Sequence, residues 1–200
     1  MDYKELREYM YSLDRSLFVP YVYKKYADFD EPLPIGYGQT ISQPSLVLQM
    51  TYLLSLEKDS KVLEIGTGSG FQTAILSHFS NHVYTVELLR TLSEKAKKRL
   101  KDLGYNNIDY KIGDGSEGWI EHAPYDRIIV TAGAQRVPDE LIQQLDKDGI
   151  MIIPVGPQHN QELLLITKDK EGKTNIRKIE DVRFVELKGK YGWSHEDMKD

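Results

Sequence analysis

The chain of 200 residues contains no cysteine. That absence removes disulfides, thiolate nucleophiles and cysteine-ligated zinc together, so any chemistry must come from carboxylates, hydroxyls, imidazoles or a bound cofactor. A surplus of cations is missing too. Lys and Arg number 26 against 31 Asp and Glu, a net charge of -5, and neutralising phosphates over a broad nucleic-acid surface needs the opposite balance. The local basic clusters at 95–101 and at Lys24-Lys25 are interrupted by Glu94, Asp102 and Asp28, which makes them solvated faces. No apolar run approaches the ~20 residues that cross a bilayer. The opening Met1-Asp2-Tyr3-Lys4-Glu5 leads into a charged amphipathic stretch and not the apolar segment of a signal peptide, so a cytoplasmic location without membrane association is expected. Several catalytic patterns are absent as well. There is no G-x-x-x-x-G-K-[ST], and neither Ser69 nor Ser116 carries the glycines of G-x-S-x-G. His78 and His82 stand four apart with no carboxylate to complete a set, so no metal site is expected.

What is present describes an ordinary globular chain: 40% hydrophobic, 28% charged, mean hydropathy -0.48. Its length suits one domain, 1–200, able to bury roughly 70% of the unfolded surface. Leu6, Tyr9, Met10 and Leu13 predict an amphipathic helix over 2–13, and Leu92, Ala96, Leu100 and Leu103 another over 89–103, stopped by Gly104. Short β-branched runs predict strands at 61–65, 83–86, 108–112, 125–131 and 150–155. Pro138 opens a short helix with Leu141, Ile142 and Leu145. A polar turn at 169–173 between the run 163–167 and an alternating run through Val182, Phe184, Val185 and Leu187 predicts an antiparallel hairpin. The expected fold is α/β, a doubly wound seven-stranded mostly parallel sheet with a C-terminal antiparallel hairpin. The polar tail 194–200 is expected to be loose.

The most informative stretch is Val62-Leu63-Glu64-Ile65-Gly66-Thr67-Gly68-Ser69-Gly70-Phe71. It predicts a buried strand, a turn and a helix start. Gly66, Gly68 and Gly70 permit positive φ and let backbone amides approach a ligand closely. The next strand ends in Glu87, 21 residues after Gly66, where a carboxylate can accept from ribose hydroxyls. That spacing suits a dinucleotide or S-adenosylmethionine. The dinucleotide fingerprint G-x-G-x-x-G fails, because Phe71 occupies its third glycine, and the turn holds no Lys or Arg for a pyrophosphate. Both facts favour the methyl donor. Asp114, between Gly113 and Gly115 at another strand's end, is placed to accept from an exocyclic amine such as adenine's, or is a simple Asp-Gly turn.

Residues 21–43 hold Pro32, Pro34, Gly36 and Gly38 without a sustained period and predict a long ordered loop that serves function. Beyond Pro44 a helix is predicted, with Gln43 or Ser42 near its cap. A Ser42 hydroxyl there could cap the helix, hold a carboxylate beside free amides, or do both.

Pro32 through Pro44, read with the glycine turn, resembles the protein-L-isoaspartate O-methyltransferases. Further similarity lies at Asp114-Gly115, Pro124-Tyr125-Asp126-Arg127-Ile128, Met151-Ile152-Ile153-Pro154-Val155-Gly156 and Phe184 through Trp193, so nearly the whole chain is covered. Two departures are Glu186, where the family usually has proline, and Glu64, where some members carry aspartate. The resemblance implies a class I methyltransferase, Rossmann-like, with an N-terminal helix and substrate loop in 1–45. It implies Ser42 as the active-site serine, with Gln39, Thr40 and Ile41 enclosing donor and substrate. Glu64, Gly66, Glu87, Asp114 and Gly115 would contact S-adenosylmethionine, alongside Gly68 and Gly70 of the turn, with S-adenosylhomocysteine as product. The implied substrate is the free α-carboxylate of L-isoaspartyl residues in damaged proteins; separately, with no long apolar stretch to expose, a monomer is expected. A small-molecule methyltransferase would share the donor site without needing the 36–44 loop. An NAD-dependent oxidoreductase and a non-catalytic binding module are the alternatives from other classes.

Overall fold

The computed structural model describes residues 1–191 and Trp193; the tail 194–200 lies outside the described residues. Helix α1 (Tyr3–Ser12) starts where the Asp2 carboxylate accepts from the Glu5 amide at 3.0 Å, and it buries Leu6 and Met10 one turn apart. Two 3₁₀ turns, Arg15–Phe18 and Tyr21–Tyr26, lead to a hairpin of β1 (Leu33–Gly36) and β2 (Gln39–Ile41), and then to α2 (Pro44–Leu53). The remainder alternates: β3 (Lys61–Ile65), α3 (Phe71–Phe79), β4 (His82–Glu87), α4 (Arg90–Asp102), β5 (Ile108–Ile112), β6 (Tyr125–Val130), α5 (Asp139–Gln144), β7 (Leu145–Val155), β8 (Gln161–Lys168) and β9 (Thr174–Val182). Among the described residues no helix is long and apolar enough to cross a membrane.

Seven strands form one sheet in the order β5-β4-β3-β6-β7-β8-β9. The pairs among β3 to β7 are parallel, while β7 with β8 and β8 with β9 are antiparallel. The pleat sends successive side chains to opposite faces. Val62, Ile129 and Ile152 therefore join a core with α1, α2 and α3, whereas Leu63, Ile128 and Met151 join a second core with Leu141 of α5. Both faces are covered, as continuous apolar strands require. Strand order reverses at β3, which pairs with β4 on one side and β6 on the other, and a crevice opens above the carboxyl ends at such a point.

The fold class agrees with the sequence reading, with four local corrections. The 21–43 stretch is not one long loop, since it holds the second 3₁₀ turn and the β1–β2 hairpin. Tyr37 (φ 57°) and Gly38 (φ 71°) make a two-residue turn with both centres left-handed, and a tyrosine there hides the usual glycine-rich signal. Helix α5 has Pro138 as its N-cap and stops at Gln144; Leu145 instead begins β7, five residues before the predicted strand. At the far end, the last strand stops at Val182 and does not run through Leu187. Residues 184–187 turn back over the sheet, where the Gly133 amide donates to the Val185 carbonyl at 2.7 Å and the Leu187 amide to the Gly133 carbonyl at 2.8 Å. Alternating apolarity looked like a strand because Val182 and Phe184 pack on one core and Val185 and Leu187 on the other, which holds Leu141 of α5 with Ile166 of β8. Finally, Gln43 and not Ser42 is the N-cap of α2, and its side chain makes no capping bond. The Ser45 amide donates to Asp30 Oδ1 at 2.7 Å.

Leu63 is fully buried in the central strand, away from the crevice. Leu63→Ala is expected to lower the unfolding free energy by about 2–5 kcal/mol, measured by urea denaturation.

Candidate active site

Gly66 leaves β3 with φ 97°, and its amide donates to the Val86 carbonyl at 2.9 Å. A Cβ at this position would run into Thr131 Oγ1, which itself donates to the Gly66 carbonyl at 2.8 Å. Glycine is needed here for conformation and for space. Gly68 (φ 51°) turns its amide onto Glu87 Oε2 at 2.8 Å, while the Leu89 amide donates to Glu87 Oε1 at 3.0 Å. The carboxylate at the end of β4 is thus 7% exposed and held from both sides. Gly70 (φ 85°) caps α3 in the left-handed region and packs under Leu100.

Across the crevice stands the segment that follows the β1–β2 hairpin. Gln39, Thr40, Ile41 and Ser42 line one wall of a cavity whose opposite wall contains Gly66, Gly68 and Glu87. Ser42 is half-buried, and its hydroxyl has no hydrogen-bond partner among the described residues. Gly115 forms part of the floor, where a Cβ would collide with Ile65. Val185, Glu186, Leu187 and Lys188 close the remaining side. An open groove continues outward between the β1–β2 turn and residues 180–188, sharing Gln39, Thr40, Val185, Glu186 and Lys188 with the inner cavity.

Three residues singled out from the sequence do not line this cavity: Glu64, Gly70 and Asp114. Glu64 is 0% exposed. Its Oε2 accepts from Thr73 Oγ1 at 2.6 Å and Thr85 Oγ1 at 2.7 Å, while Oε1 is buried without a partner. Since Thr85 donates to Glu64, the 2.6 Å contact between the Thr67 and Thr85 hydroxyls has Thr67 as donor, so the carboxyl supports the glycine turn through two hydroxyls. Burial pushes the Glu64 carboxyl up to about 8; the two threonine hydroxyls pull against this, and the nearby Glu87 charge adds to it. Asp114 Oδ1 accepts from Ser116 Oγ at 2.7 Å, and Oδ2 accepts from the Lys190 amide at 2.7 Å, tying the C-terminal segment down beside Gly115. Of the two histidines, His82 Nε2 sits 3.1 Å from Asp109 Oδ2, and among the described residues no group of three metal-ligating side chains gathers.

Sequence reasoning missed Thr131, whose hydroxyl locks the turn from β6, and Arg99, whose Nη1 donates to the Ser69 carbonyl at 2.7 Å. Neither residue lies in a motif; only the parallel pairing of β3 with β6 brings Thr131 to Gly66.

Comparison with known proteins covers almost the entire chain. The profile of the family described as protein-L-isoaspartate(D-aspartate) O-methyltransferase matches residues 1–192. A protein-L-isoaspartate O-methyltransferase of Dictyoglomus turgidum is 55% identical over 179 residues, 90% of this chain and 81% of that protein. One from Geobacter metallireducens is 50% identical over 194 residues, 97% of this chain and 90% of its own. A solved protein-L-isoaspartate O-methyltransferase superposes with a TM-score of 0.84 at 30% identity, over 95% of this chain and 66% of that one. A Plasmodium falciparum structure assigned to the same activity, in complex with S-adenosyl-L-homocysteine, gives 0.80 at 26% identity over 94% and 92% of the two chains.

The Glu64 environment predicts a pH dependence. Its folded pKa of about 8 lies above the ordinary value of 4.5, so the native state binds the proton more tightly. Stability from this group is present below pH 4.5 and is lost as pH rises from there to about 8. Glu64→Gln is expected to remove a slope of up to about 1.4 kcal/mol per pH unit in that window, read as urea midpoints at a series of pH values.

Proposed function

Because the chain belongs to the protein-L-isoaspartate(D-aspartate) O-methyltransferase family, we propose that it transfers a methyl group from S-adenosylmethionine to the free α-carboxylate of L-isoaspartyl residues in damaged proteins and peptides. One observation carries this reading: the serine-bearing segment 39–42 and the glycine turn after β3 wall the same cavity. The lining suits a nucleoside-bearing donor. Glu87 offers ribose hydroxyls a carboxylate, Gly66 and Gly115 leave the space of absent side chains, and Leu88 and Leu89 supply apolar surface. The donor, when bound, contributes a methyl group on a sulfonium sulfur.

An isoaspartyl carboxylate, with a pKa near about 4, is ionised at neutral pH and needs no general base. The protein's task is alignment of oxygen, methyl carbon and sulfur, an effect worth up to about 7–11 kcal/mol in favourable systems. Ser42, with its hydroxyl free of other partners, donates to the carboxylate and orients it. Glu64 and Gly70 act from beneath, shaping the turn, and Asp114 anchors the C-terminal segment at the rim. The outer groove accepts the flanking peptide, which favours a polypeptide over a small-molecule substrate. Methylation turns the carboxylate into a methyl ester; attack of the following amide nitrogen on its carbonyl expels methanol and closes a succinimide, and hydrolysis of that ring restores some normal aspartate. We further propose that residues 1–200 work as a single domain, as a cytoplasmic monomer, with an acidic balance unsuited to nucleic acid.

Labelled methyl transfer to an isoaspartyl peptide and its aspartyl twin tests the reading: the first should be labelled and the second not, and equal labelling or none overturns it. Ser42→Ala is expected to lower turnover about 10–100-fold, the loss of one charge-assisted hydrogen bond, with S-adenosylhomocysteine affinity by calorimetry nearly unchanged.

A further inference from the structure

Arg15 is 5% exposed, yet its charged head meets no carboxylate in an ion pair among the described residues. It donates instead to four main-chain carbonyls: Nη1 to Ala27 at 2.8 Å and Phe29 at 3.2 Å, and Nη2 to Glu31 at 2.8 Å and Ser42 at 3.1 Å. A buried cation tolerates this only while the carbonyls stay converged, since leaving it unsolvated is costly. Residues 27–32, between the second 3₁₀ turn and β1, have no ladder of their own; the Arg15 bonds gather them against the carbonyl of Ser42, beside the single bond from the Ser45 amide to Asp30. The same turn faces the other wall of the cavity through Phe18. That ring packs edge-on to Phe71 at 5.2 Å, at the start of α3, and lies 5.7 Å from the Arg99 guanidinium, which holds the Ser69 carbonyl of the glycine turn. Arg15–Phe18 therefore touches both walls.

We propose that Arg15 is a positioning residue for methyl transfer: its hold on the Ser42 carbonyl fixes the backbone from which that hydroxyl is aimed, and Phe18 registers this backbone against the glycine turn. The proposal rests on the carboxylate-methylating reading above. It does not involve contact of Arg15 with substrate or donor, because the residue lies outside the cavity lining. Its planar fork can serve two pairs of carbonyls at once, which the single-point ammonium of lysine cannot. A displacement of the order of 1 Å at a reacting group can cost about a hundredfold in rate.

Arg15→Lys, which keeps the charge and most of the volume, should lower kcat for an isoaspartyl peptide about 10–100-fold. S-adenosylhomocysteine affinity should stay at the wild-type value, and amide hydrogen exchange should quicken in 27–42 while 66–70 keeps its protection. Arg15→Ala should recover part of its kcat on adding millimolar methylguanidine. Wild-type kcat and exchange in Arg15→Lys would overturn the proposal, and so would a loss of S-adenosylhomocysteine affinity in step with kcat, which marks general loosening. If Arg15→Ala does not fold, Arg15→Lys carries the test. If the wild type itself labels no isoaspartyl peptide, the functional reading fails, and positioning is still decided by exchange in 27–42 against 66–70.

Discussion

The constraint that the rest of the molecule serves is the chain reversal at the end of β3. There the Gly66 amide bonds to the end of β4, and the Gly66 carbonyl accepts the Thr131 hydroxyl from the end of β6. Three parallel strands are thus stitched together by the main chain of one residue. The stitch requires a positive φ and no Cβ, so the position admits glycine and little else. It is also the place where strand order reverses and the sheet leaves an opening, and the turn therefore presents its backbone to whatever enters.

Around that stitch the protein accepts an electrostatic burden. Glu64 lies wholly inside, with one oxygen unpartnered, and its hydroxyl neighbours connect it to Thr67 of the turn. Burial holds that carboxyl toward its neutral form. What the carboxyl supplies is a directional support beneath a turn that has few side chains of its own. Glu87 does related work from above, spending both oxygens on the amides of Gly68 and Leu89 and so fixing the height of the rim.

The opposite wall is assembled by different means. The 3₁₀ turns and the short hairpin before α2 contribute few ladder bonds, and their placement depends on side chains that reach across: the guanidinium of Arg15, the carboxylate of Asp30 and the ring of Phe18. One wall is therefore built from sheet-anchored backbone and the other from side-chain bonds to backbone. The second kind yields more readily, because each bond depends on one side chain alone, and it is the wall that carries the serine.

The seven-stranded order of elements was legible in the chain because buried parallel strands are short, β-branched and bounded by glycine or proline, as in 61–65 and 125–130. The glycine turn was legible because conformational freedom and absent side chains are properties of the residues themselves. So was Glu87, whose distance from Gly66 is set by one strand-helix-strand unit. The rest needed three dimensions. Nothing local marks Thr131 or Arg15, since Thr131 meets Gly66 65 residues away and the carbonyls that Arg15 gathers lie 12 to 27 residues away. The ending of β9 at Val182 was hidden because Phe184, Val185 and Leu187 beyond it stay apolar to pack on the two cores, not to extend the strand. In the same way, the motif does not say that Glu64 is turned inward beneath the turn and away from the cavity lining, so only the folded sheet could separate residues that face the cavity from those that support it.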